Sequence, residues 1–130
     1  MVPKNTFNKL KRLTMPIVSV IGTNTKQGKY TLQLELYRRL TAKGYQTGFL
    51  ATEPSGYLFN ADAVFHFGYN ANINIQHWEY IPLINEWLWE MQLQQKDITI
   101  TGCQSATLHY DGSNVNYFTF AQHNFLLANN

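Results

Sequence analysis

Lys29 follows Gly28 directly and stands seven residues after Gly22, in the stretch Gly22-Thr23-Asn24-Thr25-Lys26-Gln27-Gly28-Lys29-Tyr30-Thr31. A lysine behind a glycine-bounded loop is a point charge placed to meet an anion. Gly22 lets the chain turn out of whatever precedes it, and Gly28 lets the backbone pass close to a ligand with no Cβ in the way. If a helix begins at Gly28, its first amides and its dipole favour the same anion. The chemistry these residues suit is phosphate binding. Thr23, Asn24, Thr25, Lys26, Gln27 and Tyr30 complete the cradle, Lys29 reaches the outer phosphates, and Thr31 meets the α-phosphate.

Two features depart from the usual phosphate-loop (P-loop) pattern. Five residues rather than the customary four lie between Gly22 and Gly28, and Tyr30 holds the position where a Ser or Thr ordinarily ligates Mg²⁺. A phenol oxygen lies far beyond the reach of a hydroxyl on Cβ. Oxygen ligands for Mg²⁺ must then come from elsewhere, and the expected sources are Thr31, Glu53 and Asp62. Glu53 is also a candidate catalytic group with Lys29, holding metal or substrate. Capping or bracing its own loop is the alternative. Gln104 and Ser105, after a short apolar run, are candidates for orienting water or touching a phosphate, or else they satisfy backbone at a strand end.

The elements that must position these groups follow from periodicity. Pro16 to Ile21 is β-branched and apolar, as in a parallel strand covered on both faces. Gly28 to about Lys43 is expected to be a helix with a stripe of Leu32, Leu36 and Leu40 widened by Leu34 and Tyr37, and Gly44 suits its end. Thr47 to Ala51 makes a second strand and Ile98 to Thr101 a third. Glu79 to Gln95 makes a second helix, with Ile81, Ile84, Leu88 and Met91 on one face and Pro82 harmless in its first turn. Strand, helix and strand imply a right-handed βαβ unit, so Glu53 and Gln104 leave their strands at the edge that lines the ligand crevice. The expected fold is α/β, a P-loop-type three-layer sandwich around a mostly parallel sheet that this chain leaves incomplete. Residues 1–15, with Lys4, Lys9, Lys11 and Arg12, are expected to be a basic arm or solvated linker, and residues 16–130 the nucleotide-binding domain.

Composition narrows the function classes. The chain has 130 residues, a charged fraction of 14%, an aromatic fraction of 15% and a net charge of +2. So small a charge does not point to nucleic acid. No apolar run approaches the ~20 residues that span a membrane, and the N-terminus lacks a signal-peptide core. Cys103 is the single cysteine, which suits a reducing compartment and hence the cytoplasm. As a nucleophile it has no evident base partner. His66 and His77 are spaced wrongly for a zinc site. The tail, 114–130, places Tyr117, Phe118, Phe120 and Phe125 beside little else that could cover them. A homo-oligomer or the rest of a longer chain is therefore expected to close the sheet edge.

The motifs Gly22-Thr23, Lys26 to Gln33, Thr52-Glu53-Pro54-Ser55, Phe67-Gly68-Tyr69-Asn70 and Gln104-Ser105 resemble an uncharacterised bacterial P-loop family. The resemblance spans roughly residues 16 to 127. The loop itself is similar to that of dethiobiotin synthetase and its relatives, which share the longer spacing. Some family members accompany peptide natural-product maturation systems, and relatives include D-amino-acid N-acetyltransferase-like proteins. The resemblance implies that Gly28, Lys29 and Thr31 bind nucleotide phosphates, that Glu53 faces the site, and that sequence is missing before and after this segment. Tyr30 and Thr101 depart from dethiobiotin synthetase where Mg²⁺ is handled. Three functions follow: ATP- or GTP-dependent activation of a carboxylate or amine on a small molecule or peptide, a nucleotide-binding module without turnover, or a segment that holds only phosphate.

Overall fold

A computed structural model describes residues 9–24, 26–65 and 79–103. Four parallel strands form one sheet: β1 (Ile17–Val20), β2 (Thr47–Ala51), β3 (Ala63–Val64) and β4 (Ile98–Gly102), in the order β1-β4-β2-β3. Helix α1 (Lys29–Ala42) joins β1 to β2, a 3₁₀ helix (Pro54–Phe59) joins β2 to β3, and α2 (Tyr80–Leu93) precedes β4. The α/β expectation holds, with an all-parallel sheet. Expectations at 66–78 (His66, His77 and the turn 67–70), Thr25 and 104–130 (Gln104, Ser105 and the tail) lie outside the described residues.

The order explains the layers. The β1-to-β2 crossover moves across the sheet past the place of β4, and the path from β3 back to β4 moves the other way. Right-handed connections in opposite directions put their helices on opposite faces. Strand alternation agrees. Phe49, Ala51 and Ile100 pack with Tyr30, Leu34, Tyr37 and Leu40 of α1, whereas Leu50 packs with Ile84, Leu88 and Met91 of α2. Strand β4 divides its residues likewise: Ile100 meets α1, while the Thr99 hydroxyl reaches the sulfurs of Met15 and Met91 at 3.2 and 3.7 Å. Complete burial of a side chain such as Phe49 contributes about 2–3 kcal/mol.

Three expectations change. Of the expected α1 stripe, Leu36 and Leu40 pack on the core with Leu34 and Tyr37, but Leu32 is half exposed. The sheet-facing positions are Tyr30, Gln33, Leu34 and Tyr37, the i, i+3, i+4, i+7 set of one helical face, with Gln33 sealed at 1% exposure. Strand β1 is not covered on both faces either. It pairs only with β4 among the described strands, and Val18 remains 39% exposed. Residues 10–15 are not a solvated linker. Leu10 and Leu13 pack on the α2-side core, which includes Met15. Buried Asn85 accepts from the Lys11 amide at 2.7 Å and donates to the Lys11 carbonyl at 3.0 Å, while Gln92 Oε1 accepts from the amides of Thr14 and Met15 at 2.7 and 3.0 Å. Two side chains one heptad apart on α2 thus tie the segment down as a neighbouring strand would.

Candidate phosphate-binding loop

Val20, the last residue of β1, pairs in register with Gly102 of β4, so the chain leaves the sheet toward α1 beside the end of β4. Between them the loop folds over itself. Gln27 turns back so that its Oε1 accepts from the Asn24 amide at 3.0 Å, with the Thr23 hydroxyl at 3.4 Å. Lys29 arches the same way and its Nζ donates to the Asn24 carbonyl at 2.8 Å. The Asn24 residue is therefore gripped on both sides, its N–H by Gln27 and its C=O by Lys29.

The two glycines act for different reasons than spacing suggests. Gly28 has φ 76° and ψ 17°, and a Cβ there would meet nothing within 4 Å. Its role is the left-handed turn into α1, which a side chain would strain. At Gly22 the need is space: a Cβ would lie 3.0 Å from both Gln27 Oε1 and Lys29 Cδ. The bare Gly22 is the floor across which both side chains pass. Lys26, also at positive φ (56°), completes the sharp path of the loop.

Helix α1 starts with no side-chain cap and no acidic residue in its first turn. Its first amides and the positive end of its dipole face the loop without a carboxylate of their own helix to compensate them. Burial pushes the Lys29 ammonium below the usual lysine range, and Cys103 and Glu53 nearby oppose that shift. Lys29 thus sits where β2 and β4 end, in the fields of both residues. The Cys103 thiol is 2% exposed, and burial pushes it well above the ordinary thiol range despite the offsetting Lys29 charge. It is a neutral core group at neutral pH, not a nucleophile.

The expected site residues divide. Gly22, Thr23, Asn24, Lys26, Gln27, Gly28 and Lys29 form one folded loop. Glu53 follows the end of β2 within electrostatic reach of Lys29, and at the N-cap of the 3₁₀ helix its side chain makes no capping hydrogen bond. Thr31 is exposed on the first turn of α1. Tyr30 is not part of the cradle: its ring stacks on Phe49 with centroids 6.3 Å apart, and its hydroxyl is buried without a hydrogen-bond partner among the described residues. Asp62 is a correction. Its carboxylate accepts from the Phe49 amide at 2.8 Å and pairs with Lys96 at 2.7 Å, on the side of the sheet's far edge strand, so it braces β2 and β3 instead of meeting the loop. Sequence reasoning missed Gln33. It lies one turn after Lys29 and covers Gly102 so closely that a Cβ there would fall 1.8 Å from Gln33 Nε2. The signal available was a polar residue at an i+4 position inside an apolar stripe.

The family comparison completes the picture. The model of the family described as "Domain of unknown function (DUF1611_C) P-loop domain" matches residues 6–120. The chain belongs to the DUF1611 P-loop family. The DUF1611 match begins at residue 6, inside the stretch expected to be an arm, in keeping with the docking of residues 10–15 on α2. No curated protein matches the chain. A P-loop domain suggests nucleotide binding, and the glycine floor, lysine and uncapped helix start described above suit a nucleotide's phosphates. No helix among the described residues is long and apolar enough to cross a membrane.

Magnesium, the usual companion of a P-loop nucleotide, fits these residues less well. It favours an octahedron of oxygens, several of them water, anchored by one or two carboxylates. Tyr30 is packed in the core, the Thr101 hydroxyl is bonded to Ser19 Oγ at 2.8 Å, Gly102 has no side chain, and Asp62 is held by Lys96. Among the described candidates Glu53 and the exposed Thr31 remain. Among the described residues no group of three His, Cys, Asp or Glu side chains is arranged to hold a metal.

Proposed function

We propose that this DUF1611 domain binds a nucleotide by its phosphates in the loop 22–31, with ATP as the ligand and GTP as the alternative. The observation that carries the reading is Lys29 folded over the loop floor, its ammonium 2.8 Å from the Asn24 carbonyl at the uncapped start of α1. An incoming phosphate replaces that internal acceptor with a charged one. Lys29 then neutralises the outer phosphates, Thr31 meets the α-phosphate, and Glu53 faces a carboxylate- or amine-bearing small molecule or peptide. Phosphoryl chemistry of this kind rests on positioning and charge neutralisation. The kinship with dethiobiotin synthetase-like enzymes, a cytoplasmic location and completion of the sheet by a second copy or further chain belong to the same proposal.

A module that binds nucleotide without turnover is the second reading. It is favoured by the burial of Tyr30 and the engagement of the Thr101 hydroxyl, which withdraw the side chains nearest the loop from metal binding. Calorimetric titration with ATP and with GTP tests the common ground. The wild type is expected to bind saturably, and Lys29→Ala to lose at least about tenfold, the effect of one charge-assisted hydrogen bond. Absence of saturable binding to either nucleotide would refute the proposal. Phosphate release at saturating nucleotide then separates the enzyme from the module.

A further inference from the structure

We infer that the loop takes its nucleotide phosphate free of divalent metal, with the neutral carboxamide of Gln33 filling the space from which a metal-organising carboxylate would act; this rests on the nucleotide-binding reading above. In a parallel sheet, a ligand at the carboxyl edge receives polar groups from the loop, from the first turns of its helix, and from the end of the neighbouring strand. Here that neighbour is β4, paired to β1 through Val20 and Gly102. Its last side-chain hydroxyl, on Thr101, is bonded to Ser19 and fully buried. Gly102 then offers no side chain at all.

The space over Gly102 is already taken. A Cβ at this position would stand 1.8, 2.1 and 2.3 Å from Nε2, Cδ and Oε1 of Gln33. An aspartate or glutamate at 102 would therefore have to displace the Gln33 carboxamide from its present place. Gln33 is 99% buried, being 1% exposed, and its Oε1 has no hydrogen-bond partner among the described residues. Such an acceptor is rare inside a protein and needs a donor to satisfy it. It stands one turn beyond Lys29 on the same line of α1, and Lys29 itself feels Cys103, the residue after Gly102. A neutral amide adds no negative charge to the site.

Electrostatics lead to the ligand's charge state. Lys26 and Lys29 are the cations of the loop, α1 adds its positive end, and Glu53 is the carboxylate that shares Lys29's surroundings. A dication entering beside the Lys29 ammonium is repelled, and among the described residues Glu53 is the carboxylate placed to offset the repulsion. Free ADP is more negative than its magnesium complex, so a site of net positive charge prefers it. Lysines take over the neutralising work that metal performs elsewhere.

Calorimetric titration with ADP, in EDTA and in Mg²⁺ at matched ionic strength, tests this on wild type and Gln33→Glu. For the wild type a Kd in EDTA that is lower than in Mg²⁺, or within twofold of it, is expected. A Kd more than twofold lower in Mg²⁺ overturns the inference and leaves the nucleotide-binding reading standing. Lack of saturable ADP binding in both buffers overturns the inference, and lack of saturable ATP and GTP binding as well overturns the two together. Gln33→Glu is expected to weaken ADP at least fivefold in EDTA, with Mg²⁺ recovering part of the loss, and equal binding to wild type in both buffers overturns the role given to Gln33. Should Gln33→Glu fail to fold, Gln33→Leu replaces it. This neutral variant is expected to retain the wild-type indifference to Mg²⁺, and a new requirement for Mg²⁺ overturns the role.

Discussion

Replacing Gly102 by alanine tests the contact that sets the chemistry at the end of β4, and the sign of the effect is diagnostic. A glycine inside a strand ordinarily costs about 0.5–1 kcal/mol relative to alanine, so backbone considerations alone predict that Gly102→Ala stabilises. Packing predicts the reverse. The new methyl would lie 1.8–2.3 Å from three atoms of the Gln33 carboxamide, where van der Waals contact requires about 3.5–4 Å. The carboxamide would have to retreat by more than an ångström, yet Gln33 is 1% exposed and confined between α1 and the sheet. Overpacking of this kind costs about 1–3 kcal/mol, which for a domain of this size is a fall in Tm of about 3–10 °C. Gln33→Ala removes the obstacle, so the double variant is expected to be more stable than the sum of the single effects by about 1–2 kcal/mol. Thermal melts of the four proteins, followed by circular dichroism, give the cycle. A Gly102→Ala protein as stable as wild type, or strictly additive effects, would refute the proposed occupation of that space.

Asn85→Ala leaves the amide and carbonyl of Lys11 without their partners; a loss of about 2–3 kcal/mol is expected in chemical denaturation, together with faster proteolysis between residues 9 and 15. Gln27→Ala frees the Asn24 amide from its internal acceptor. It is expected to tighten nucleotide binding by about two- to tenfold, the net worth of one hydrogen bond, and weaker binding in calorimetry would show that Gln27 touches the ligand instead. Glu35, bonded by Arg38 and then Arg39, has its carboxyl pulled down to about 2. Because the folded value lies below the unfolded one, its contribution to α1 is complete above pH 4.5 and fades as pH falls through about 2. Carboxyl-carbon NMR is expected to show that low midpoint, which Arg38→Ala should raise.

The elements of regular structure were legible because their signals are local. The run ending at Ile21, the glycines of the loop and the Ile81-Ile84-Leu88-Met91 face each impose a strand, a turn or a helix without help from distant residues. What was not legible depended on pairing. Leu32 looked like core because leucines repeat every four residues, but the sheet meets α1 along Tyr30, Gln33 and Tyr37, and only the position of β2 decides that. Asp62 looked like a metal ligand because it follows Glu53 closely in sequence. Its fate was set by Lys96, thirty-four residues away, whose ammonium reaches it at 2.7 Å. Strand β3 was missed because two residues carry no periodicity; the Phe49 amide and carbonyl, bonded to Asp62, fix it.

The strand order ties these details to the site. Placing β4 between β1 and β2 brings three strand ends, at Ile21, Thr52 and Cys103, to one edge, and α1 must start there because its crossover leaves β1. Lysine, carboxylate and the Gly102–Gln33 contact meet for that topological reason, although they come from separate parts of the chain. In the same arrangement α1 presents two kinds of residue within one turn of each other, a charged group for the ligand and a buried neutral one for the sheet. Substituting the neutral residue alters what the charged one is asked to neutralise. On the inference drawn above, a P-loop changes its dependence on metal through a residue that lies outside the loop, while the loop itself keeps its shape.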